Sequence, residues 1–254
     1  MAGNTSISGS TVTSRALAVL AAFDGEHRAL SLTELGRRAG LPIPTAYRLI
    51  SELTAWGALV RRPDGAYVIG RRIWDLGLLA PVQSGLRQIA APFLQDLYLA
   101  TVATVHLAER DGLSVLYLDR LSGRASVPVV SHVGARLPLH ATGVGKVLLA
   151  YAPAEIQAQV LGKLTRVTPY TITQPGRLCE QLRRVRREGF AQTSEEMSLG
   201  ACSVAVPIST SPGQVVAALG IVVPSLKRDR PRLVAALQVA AQGIGRSLAA
   251  ASAQ

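Results

Sequence analysis

Cysteine and long apolar runs are scarce in this sequence. Only Cys179 and Cys202 are cysteines among the 254 residues, and their spacing matches neither a zinc finger nor a disulfide framework. No continuous apolar stretch has the length of a membrane span, and the first residues lack the charged start and apolar block of a signal peptide. We therefore expect a cytoplasmic protein that has no membrane partner and needs no metal or other cofactor.

Sequence patterns of catalysis are missing as well. The sequence contains no nucleophile-elbow motif and no metal-ligand spacing. An enzyme would have to use Cys202 or Ser203 as the nucleophile and His132 or His140 as the base, with a third group to orient that base. We do not expect an enzyme, and a hydrolase or a protein that only binds small molecules is the alternative at this stage.

Length and composition favour two domains of ordinary size. The 48% hydrophobic content is enough to form two cores. The net charge of +11 suits a nucleic-acid partner, but residues 1–80 carry nine arginines and six carboxylates, which leaves about +8 on the remainder. Overall charge is therefore weak evidence for nucleic-acid binding.

Residues 31–53 predict two short helices joined by a tight turn. Ser31 and Glu34 have the spacing of a capping box, in which each side chain accepts a hydrogen bond from a backbone N–H at a helix start. Gly40 is suited to end that helix, because glycine readily adopts the left-handed conformation of a helix end. Pro44 suits the first position of a second helix, whose apolar stripe follows the spacing i, i+3, i+4 and i+7 at Ala46, Leu49, Ile50 and Leu53.

Two such helices form a helix-turn-helix, whose second helix can enter the major groove of DNA. The apolar stripe faces a core and leaves the other side of the helix free, including Thr45, Tyr47, Arg48 and Ser51. On this interpretation Thr45, Tyr47 and Arg48 contact DNA. The alternatives are an ordinary helical hairpin with a solvated outer face, or a protein-interaction module without DNA contact.

A hairpin follows the second helix directly. Residues 59–62 and 66–69 are strand-like and flank Pro63, Asp64 and Gly65, a combination typical of a turn. Such a hairpin is typical of a wing, and Arg61 and Arg62 on it would lie near DNA phosphates. Solvation of two exposed arginines is the simpler alternative.

The rest of the chain predicts a linker and a second domain. Ser14 can cap a helix that covers the helix-turn-helix, and residues 70–80 predict a linker helix on which Trp74 packs into a core or against a second subunit. The expected organisation is a disordered tail (1–12), a winged helix-turn-helix domain (13–70), a linker helix (71–84) and a second domain (85–254).

The second domain mixes helices with hairpin-connected strands. Thr142 can cap a helix near Gly143, and we interpret the arginines at 183, 184, 186 and 187 as a solvated helix face. Strands are expected over 104–110, 114–121, 127–133, 190–195, 201–209 and 215–223, and helices over 85–101, 143–151, from 153, 175–188 and 232–251. The expected fold is α+β with a mainly antiparallel sheet.

These segments together resemble the isocitrate-lyase-regulator (IclR) family of bacterial transcription factors. The resemblance covers about residues 13–250 and is based on LTELGRRAGLPIPTAYRLISEL, PDGAYVIGRRIWDLG, LPLHATGVGKVLLA, and REGF with LGACSVAVPI. It implies a winged DNA-binding domain, a linker helix and a C-terminal GAF-like α/β domain that binds an effector and forms oligomers. The implied partners are double-stranded operator DNA, a small organic acid, and further copies in a homodimer or dimer of dimers.

The resemblance also assigns roles to individual positions. The family's DNA contacts match Thr45, Tyr47 and Arg48, but Ile43 and Pro44 stand where relatives often have lysine and serine. That departure removes a phosphate-binding cation and a helix cap. The full DNA-binding set is Ile43, Pro44, Thr45, Tyr47, Arg48, Ser51, Arg61 and Arg62.

Effector contacts of the family match a loop and several strand positions. They are His140, Thr142, Gly143, Val144, Thr193, Ser203, Gly220 and Val222, with Val129 and Leu137 as an apolar wall. Backbone N–H groups near Gly143 offer a partial positive charge that can receive a carboxylate, although a purely structural turn is the alternative. Few polar partners at these positions favour a carboxylate with an apolar or aromatic body.

Overall fold

Two compact units make up the chain. The computed structural model describes residues 11–79, 84–123, 127 and 129–251, and the boundary between the units falls between residues 82 and 83. Residues 1–10 of the expected disordered tail and 80–83 of the expected linker helix lie outside the described residues.

The first unit contains three helices around a small apolar core. They are α1 (Val12–Ala21), α2 (Leu32–Ala39) and α3 (Ile43–Trp56). The expected cap of α1 was wrong: the Thr11 hydroxyl, not that of Ser14, accepts the capping hydrogen bond, which comes from the Ser14 N–H at 3.1 Å. Residue 12 therefore begins a helix and does not belong to a tail. The core contains Val19, Leu35, Ala46, Leu49 and Ile50.

The turn between α2 and α3 forms as the sequence predicts. The Glu34 N–H donates to the Ser31 hydroxyl at 3.3 Å, and the Ser31 N–H donates to a Glu34 carboxylate oxygen at 2.8 Å, so the capping box is complete. Gly40 ends α2 with a φ of +66°. Helix α3 begins at Ile43, one residue earlier than expected, so Pro44 occupies its second position.

A two-stranded antiparallel wing follows α3. Its strands are β1 (Leu59–Arg61) and β2 (Tyr67–Ile69), and Tyr67 also exchanges backbone hydrogen bonds with Leu30. In the turn, Gly65 has a φ of +83°, and the Asp64 side chain accepts a hydrogen bond from the Ala66 N–H at 3.1 Å. The turn chemistry read from the sequence is therefore present.

Helix α4 (Arg71–Leu78) begins directly after the wing. The extent expected for the linker helix, residues 71–84, was wrong, because α4 ends at Leu78 and Ser84 is the first residue of α5. The Arg72 guanidinium lies 4.3 Å from the centroid of the Trp56 ring and donates to the Trp56 carbonyl at 3.1 Å. This combination of a cation–π contact and a hydrogen bond joins the start of α4 to the end of α3.

The second unit is built on one antiparallel sheet. Six strands in the order β5-β4-β3-β8-β7-β6 form it among the described residues, and every neighbouring pair is antiparallel. The strands are β3 (Thr104–Asp111), β4 (Ser114–Leu121), β5 (Arg136–Pro138), β6 (Ala191–Ser194), β7 (Cys202–Ser211) and β8 (Gln214–Val223). The strand expected over 127–133 was wrong: its described residues form no strand, and the next strand is the short β5.

Helices cover both faces of this sheet. On one face lie α5 (Ser84–Thr101) and α9 (Arg230–Ala251), and on the other lie α6 (Gly143–Ala150), α7 (Ala154–Leu161) and α8 (Pro175–Glu188). Successive strand residues point to opposite faces, so Val204 belongs to the first core and Ala205 to the second. These layers confirm the expected α+β class with its winged helix-turn-helix and GAF-like domain.

Helix α9 is long and apolar enough to be compared with a membrane span, although the sequence contains no continuous apolar stretch of that length. By length and composition alone this helix of 22 residues, in which a window of 18 residues has a mean hydropathy of 1.2, could cross a membrane. Its apolar side is buried against the sheet, where Leu237 and Ile244 are fully covered. Helix α9 is therefore a core helix of the second unit.

Candidate functional site

The free face of α3 carries polar side chains on a firmly packed helix. Tyr47, Arg48 and Ser51 are exposed and Thr45 is half-buried, while Ala46, Leu49 and Ile50 on the opposite side are buried. Ser51 donates its hydroxyl hydrogen bond to the Tyr47 carbonyl at 2.8 Å. Among the hydrogen bonds and ion pairs of the described residues, none occupies the Arg48 guanidinium. Arg48 is consequently available to an external partner.

The beginning of α3 is apolar. Ile43 is 42% exposed, and its Cδ1 packs 3.0 Å from the position that a Cβ on Gly36 would occupy. Pro44 is exposed, and no side chain caps the first N–H groups of α3. This corner therefore supplies neither a cation nor a hydroxyl to a phosphate.

Arg61 and Arg62 on the wing are both exposed but differ in their surroundings. The Arg61 guanidinium lies 5.8 Å from the centroid of the Tyr67 ring. The Arg62 guanidinium is 3.3 Å from the Asp64 carboxylate, so part of its charge is offset by a neighbour in the same turn.

In the second unit a cavity lies between the sheet and the beginning of α6. It encloses about 490 Å³ of empty space, part of which is open to solvent. The segments around residues 129–131 and 197–201 form other parts of its wall. Nine of the ten residues expected at an effector site line it: Val129, Leu137, Thr142, Gly143, Val144, Thr193, Ser203, Gly220 and Val222.

Two glycines let α6 approach the sheet closely at this cavity. A Cβ on Gly143 would lie 2.5 Å from the Ser203 Oγ, and a Cβ on Gly220 would lie 2.8 Å from the Val144 Cγ1. Thr142 caps the helix by accepting from the Gly145 N–H at 3.1 Å, as the sequence predicted. The first turn of α6 thus begins at the cavity wall, where the helix dipole favours a negative charge.

Two hydroxyl groups stand opposite the start of α6. Thr193 on β6 and Ser203 on β7 are paired in register, and their side-chain oxygens are 2.6 Å apart. Each hydroxyl can donate or accept, so the pair can bind a carboxylate oxygen together with the helix start.

His140 has a different place from the other expected effector residues. It does not line the cavity. The Nε2 atom of its buried ring is hydrogen-bonded to the Thr165 carbonyl oxygen at 2.8 Å. The structure therefore gives His140 a role in fixing the loop before α6.

The cavity wall contains polar residues that the sequence reasoning missed. His106 on β3 and Tyr117 on β4 lie edge to face with ring centroids 4.9 Å apart, and the His106 Nε2 is 2.8 Å from the Ser131 Oγ. The one sequence signal was a histidine between the apolar residues Val105 and Leu107 of an expected strand. The other missed residues are Val130, Met197, Ser198, Ala201, Val204 and Ile221.

Burial governs the protonation of this aromatic pair. Burial, with a smaller contribution from the charge of Arg120, lowers the pKa of His106 to about 3. Burial also raises the pKa of the Tyr117 hydroxyl, against a hydrogen bond with Thr142 that lowers it. Both side chains are therefore neutral at physiological pH.

A nucleophile and a base are not brought together. The Cys202 thiol is 3.5 Å from the Ser194 hydroxyl, Ser203 is paired with Thr193, and His132 is exposed. Within the described ranges no hydrogen bond joins a histidine to Cys202 or Ser203, and no cluster of potential metal ligands was found there. This geometry lacks the activated nucleophile that a hydrolase needs.

A winged helix-turn-helix in one unit and a cavity with apolar and hydroxyl-bearing walls in the other are typical of a regulator that binds DNA and responds to a small molecule. Comparison with protein families agrees with this class. The model described as bacterial transcriptional regulator IclR C-terminal matches residues 80–246, and the IclR helix-turn-helix domain matches residues 12–63.

Individual relatives cover most of the chain. An IclR homolog from Microbacterium hydrocarbonoxydans, solved in complex with 4-hydroxybenzoate, is 36% identical, with a TM-score of 0.89 over 94% of this chain and 100% of that one. The HTH-type transcriptional regulators XynR and KdgR of Escherichia coli K12 are 33% and 31% identical, over 82% and 87% of this chain and 83% and 86% of theirs. This protein belongs to the IclR family of bacterial transcriptional regulators and is a regulator, not an enzyme.

Proposed function

We propose that this protein represses a catabolic or metabolic operon until a small organic acid with an apolar or aromatic body binds to it. It would act in the bacterial cytoplasm, where the operator DNA lies, as a homodimer or a dimer of dimers. Residues 13–70 would bind DNA, residues 71–84 would be the linker, with α4 as its helix, and residues 85–254 would bind the acid and mediate assembly.

The observation that carries the DNA part is the availability of Arg48. Its guanidinium stands on the exposed face of a helix whose other face is buried, and none of the described residues pairs with it. An arginine at such a position can form a bidentate contact with guanine or bind a phosphate. Thr45, Tyr47 and Ser51 on the same face would supplement it, and the wing arginines would add phosphate contacts.

The cavity supports an acid as the effector. The first turn of α6 and the Thr193–Ser203 hydroxyl pair are suited to a carboxylate, and Val129, Leu137 and Val144 are suited to an apolar body. The 4-hydroxybenzoate in the Microbacterium homolog has both features. An aromatic monocarboxylate is accordingly our first choice of ligand class.

Ligand binding would alter DNA affinity through the arrangement of two protomers. A pair of recognition helices predicts a palindromic operator whose half-sites are one or more helical turns apart. The linker region exposes Trp74 at 59% and Leu76 at 48%, which is consistent with contact to a second protomer. An acid that prefers one arrangement of the protomers would shift their populations.

Titration of the DNA upstream of this gene and its neighbours tests the proposal. We expect Arg48→Ala to weaken specific binding by about 1–3 kcal/mol if Arg48 contacts a base, or to lower the salt slope by about one if it contacts a phosphate. Arg183→Ala on α8 removes the same charge from an exposed site in the other unit and should leave affinity unchanged. Equal effects of the two substitutions would contradict a specific role for Arg48, and a gain of DNA affinity on addition of acid would contradict repression.

A further inference from the structure

We infer that His106 and Ser131 form a polar subsite that binds an uncharged oxygen of the effector, either a hydroxyl or a carbonyl group. The inference rests on the proposed acid-binding function and specifies the second polar end of that acid. The residues of this subsite lie on β3 and on the segment before β5, away from the Thr193–Ser203 hydroxyl pair.

The imidazole of His106 is held in one position. His106 is 4% exposed and its Nε2 is bonded to the Ser131 hydroxyl, while the Tyr117 ring packs against it at an interplanar angle of 75°. Ser131 is itself 4% exposed, and its carbonyl accepts a hydrogen bond from the Arg120 guanidinium at 3.0 Å. A side chain fixed by several neighbours can select a ligand by geometry.

The second nitrogen of His106 has no protein partner. Among the described residues no hydrogen bond involves Nδ1, although the side chain is almost fully buried and lines the cavity. Nδ1 is not among the fully buried side-chain atoms that lack a partner, so it is reached from the cavity that His106 lines. A bound molecule with a polar atom facing Nδ1 would supply that partner.

The neutral imidazole determines which chemistry Nδ1 can bind. Because the ring carries one N–H, Nδ1 donates when the Ser131 hydroxyl donates to Nε2, and accepts when Ser131 accepts from Nε2. Either a carbonyl or a hydroxyl of the ligand can therefore be matched. A carboxylate would receive no positive charge from this ring, and burial of an unpaired charge is unfavourable. Arg120, the nearest cation, does not line the cavity and is bonded to Ser131.

The position of the subsite suits a ligand with two polar ends. In the sheet order, β3 and β7 are separated only by β8, so the strands of His106 and Ser203 lie about 10 Å apart. A carboxylate at the start of α6 would leave room for one ring or a short chain before an oxygen reaches His106. Hydroxy or oxo monocarboxylic acids fit this arrangement better than unsubstituted acids or dicarboxylates.

Calorimetric titration of the full-length protein with matched acids tests the subsite. The probes are benzoate, 4-hydroxybenzoate and terephthalate, and, as an aliphatic pair, pentanoate and 4-oxopentanoate. We expect the hydroxy or oxo acid of at least one pair to bind about tenfold more tightly than its unsubstituted partner, and terephthalate to bind more weakly than 4-hydroxybenzoate. An unsubstituted acid that binds as tightly as its substituted partner in both pairs, or terephthalate as the tightest ligand, would overturn the subsite alone.

Two isosteric substitutions separate the roles of the ring nitrogens. The His106→Gln amide can replace Nε2 at Ser131 but not Nδ1, whereas the His106→Asn amide can replace Nδ1. We expect His106→Gln to abolish the preference for the hydroxy or oxo acid over its unsubstituted partner, and His106→Asn to keep part of that preference. If His106→Gln unfolds at the same temperature as wild type and still shows the full preference for the hydroxy or oxo acid, the assignment of Nδ1 to the subsite is refuted. Failure of every acid to bind the wild type would instead overturn the proposed acid function, and the subsite with it.

Discussion

The Lys146 ammonium and the Glu196 carboxylate form an ion pair of 2.5 Å inside the second unit, where their side chains are only 1% and 6% exposed. Lys146 extends from α6 and also donates to the Gln181 side chain at 2.7 Å. Glu196 immediately precedes Met197 and Ser198, which line the cavity. The pair therefore connects the helix at one wall of the cavity to the loop that forms another.

Burial outweighs attraction in this pair. Burial is the largest cause in both residues, and it lowers the pKa of Lys146 and raises the pKa of Glu196 despite the mutual attraction that opposes each shift. Because the folded-state pKa of Glu196 is raised, its contribution to stability is greatest at low pH and is lost as the pH rises through that value. At neutral pH the charged form of each side chain is therefore favoured by the opposite charge of its partner.

We expect Lys146→Met to destabilise the protein by about 3–5 kcal/mol, because it leaves the Glu196 charge buried without a partner. Adding Glu196→Leu to that variant should recover most of the loss, since two apolar side chains need no desolvation of charge. The free energy of unfolding from urea titrations of wild type, both single variants and the double variant measures the coupling. A double variant as unstable as Lys146→Met would contradict this account.

His106 should contribute to acid sensitivity. Its pKa in the folded state is about 3, well below the ordinary value of 6.5, because of burial and the charge of Arg120. The unfolded chain therefore takes up a proton below pH 6.5 that the folded protein does not, so this contribution to stability is lost as the pH falls from 6.5 toward 3. Between pH 7.5 and pH 5 we expect wild type to lose about 2 kcal/mol more than His106→Gln.

Denaturant titrations of the two proteins at both pH values check this prediction. His132→Gln is a suitable control because His132 is exposed, and it should retain the acid loss of wild type. Parallel pH profiles for wild type and His106→Gln would mean that the imidazole is charged in the folded protein.

The wing should bind DNA more strongly without its acidic residue. Asp64→Asn removes the carboxylate 3.3 Å from Arg62 and keeps the side-chain oxygen that accepts from the Ala66 N–H. We expect higher affinity at low salt and a salt slope that is steeper by up to about one, because the freed arginine can neutralise a phosphate. Fluorescence anisotropy at several salt concentrations measures both quantities.

Asp75→Asn provides the matched control for this measurement. It removes the same charge and frees Arg71, which lies 3.7 Å from Asp75 on α4, outside the wing. An equal gain from both substitutions would assign the effect to net charge and would remove the wing from the DNA interface.

Local sequence signals predicted the turns of the N-terminal unit, although not the cap of α1. The capping box at Ser31, the left-handed Gly40 and the turn at Gly65 each fix backbone geometry within a few residues, and the structure confirms all three. A signal of the same kind predicted the Thr142 cap. The spacing of apolar residues predicted the buried face of α3.

Tertiary contacts decided the features that the sequence did not predict. Residues 127–133 are rich in β-branched side chains, yet here their described part lies over the cavity and Ser131 bonds to His106 from the distant β3. The loop after β6 contains Glu195 at a φ of +56°, a conformation that its composition does not indicate. A side-chain hydrogen bond from the Gly200 N–H to Glu195 at 2.9 Å helps to hold that loop.

The contact between α6 and the sheet restricts how related proteins can diverge. A side chain cannot be added at Gly145 without collision, since a Cβ there would lie 2.4 Å from the Leu139 carbonyl oxygen. Differences in ligand preference among related proteins are therefore expected on the strands and on the segments that cover the cavity, and not at this glycine. Under the proposed function, such changes would alter which non-carboxylate part of the acid is accepted, and the helix start proposed to face the carboxylate would stay the same.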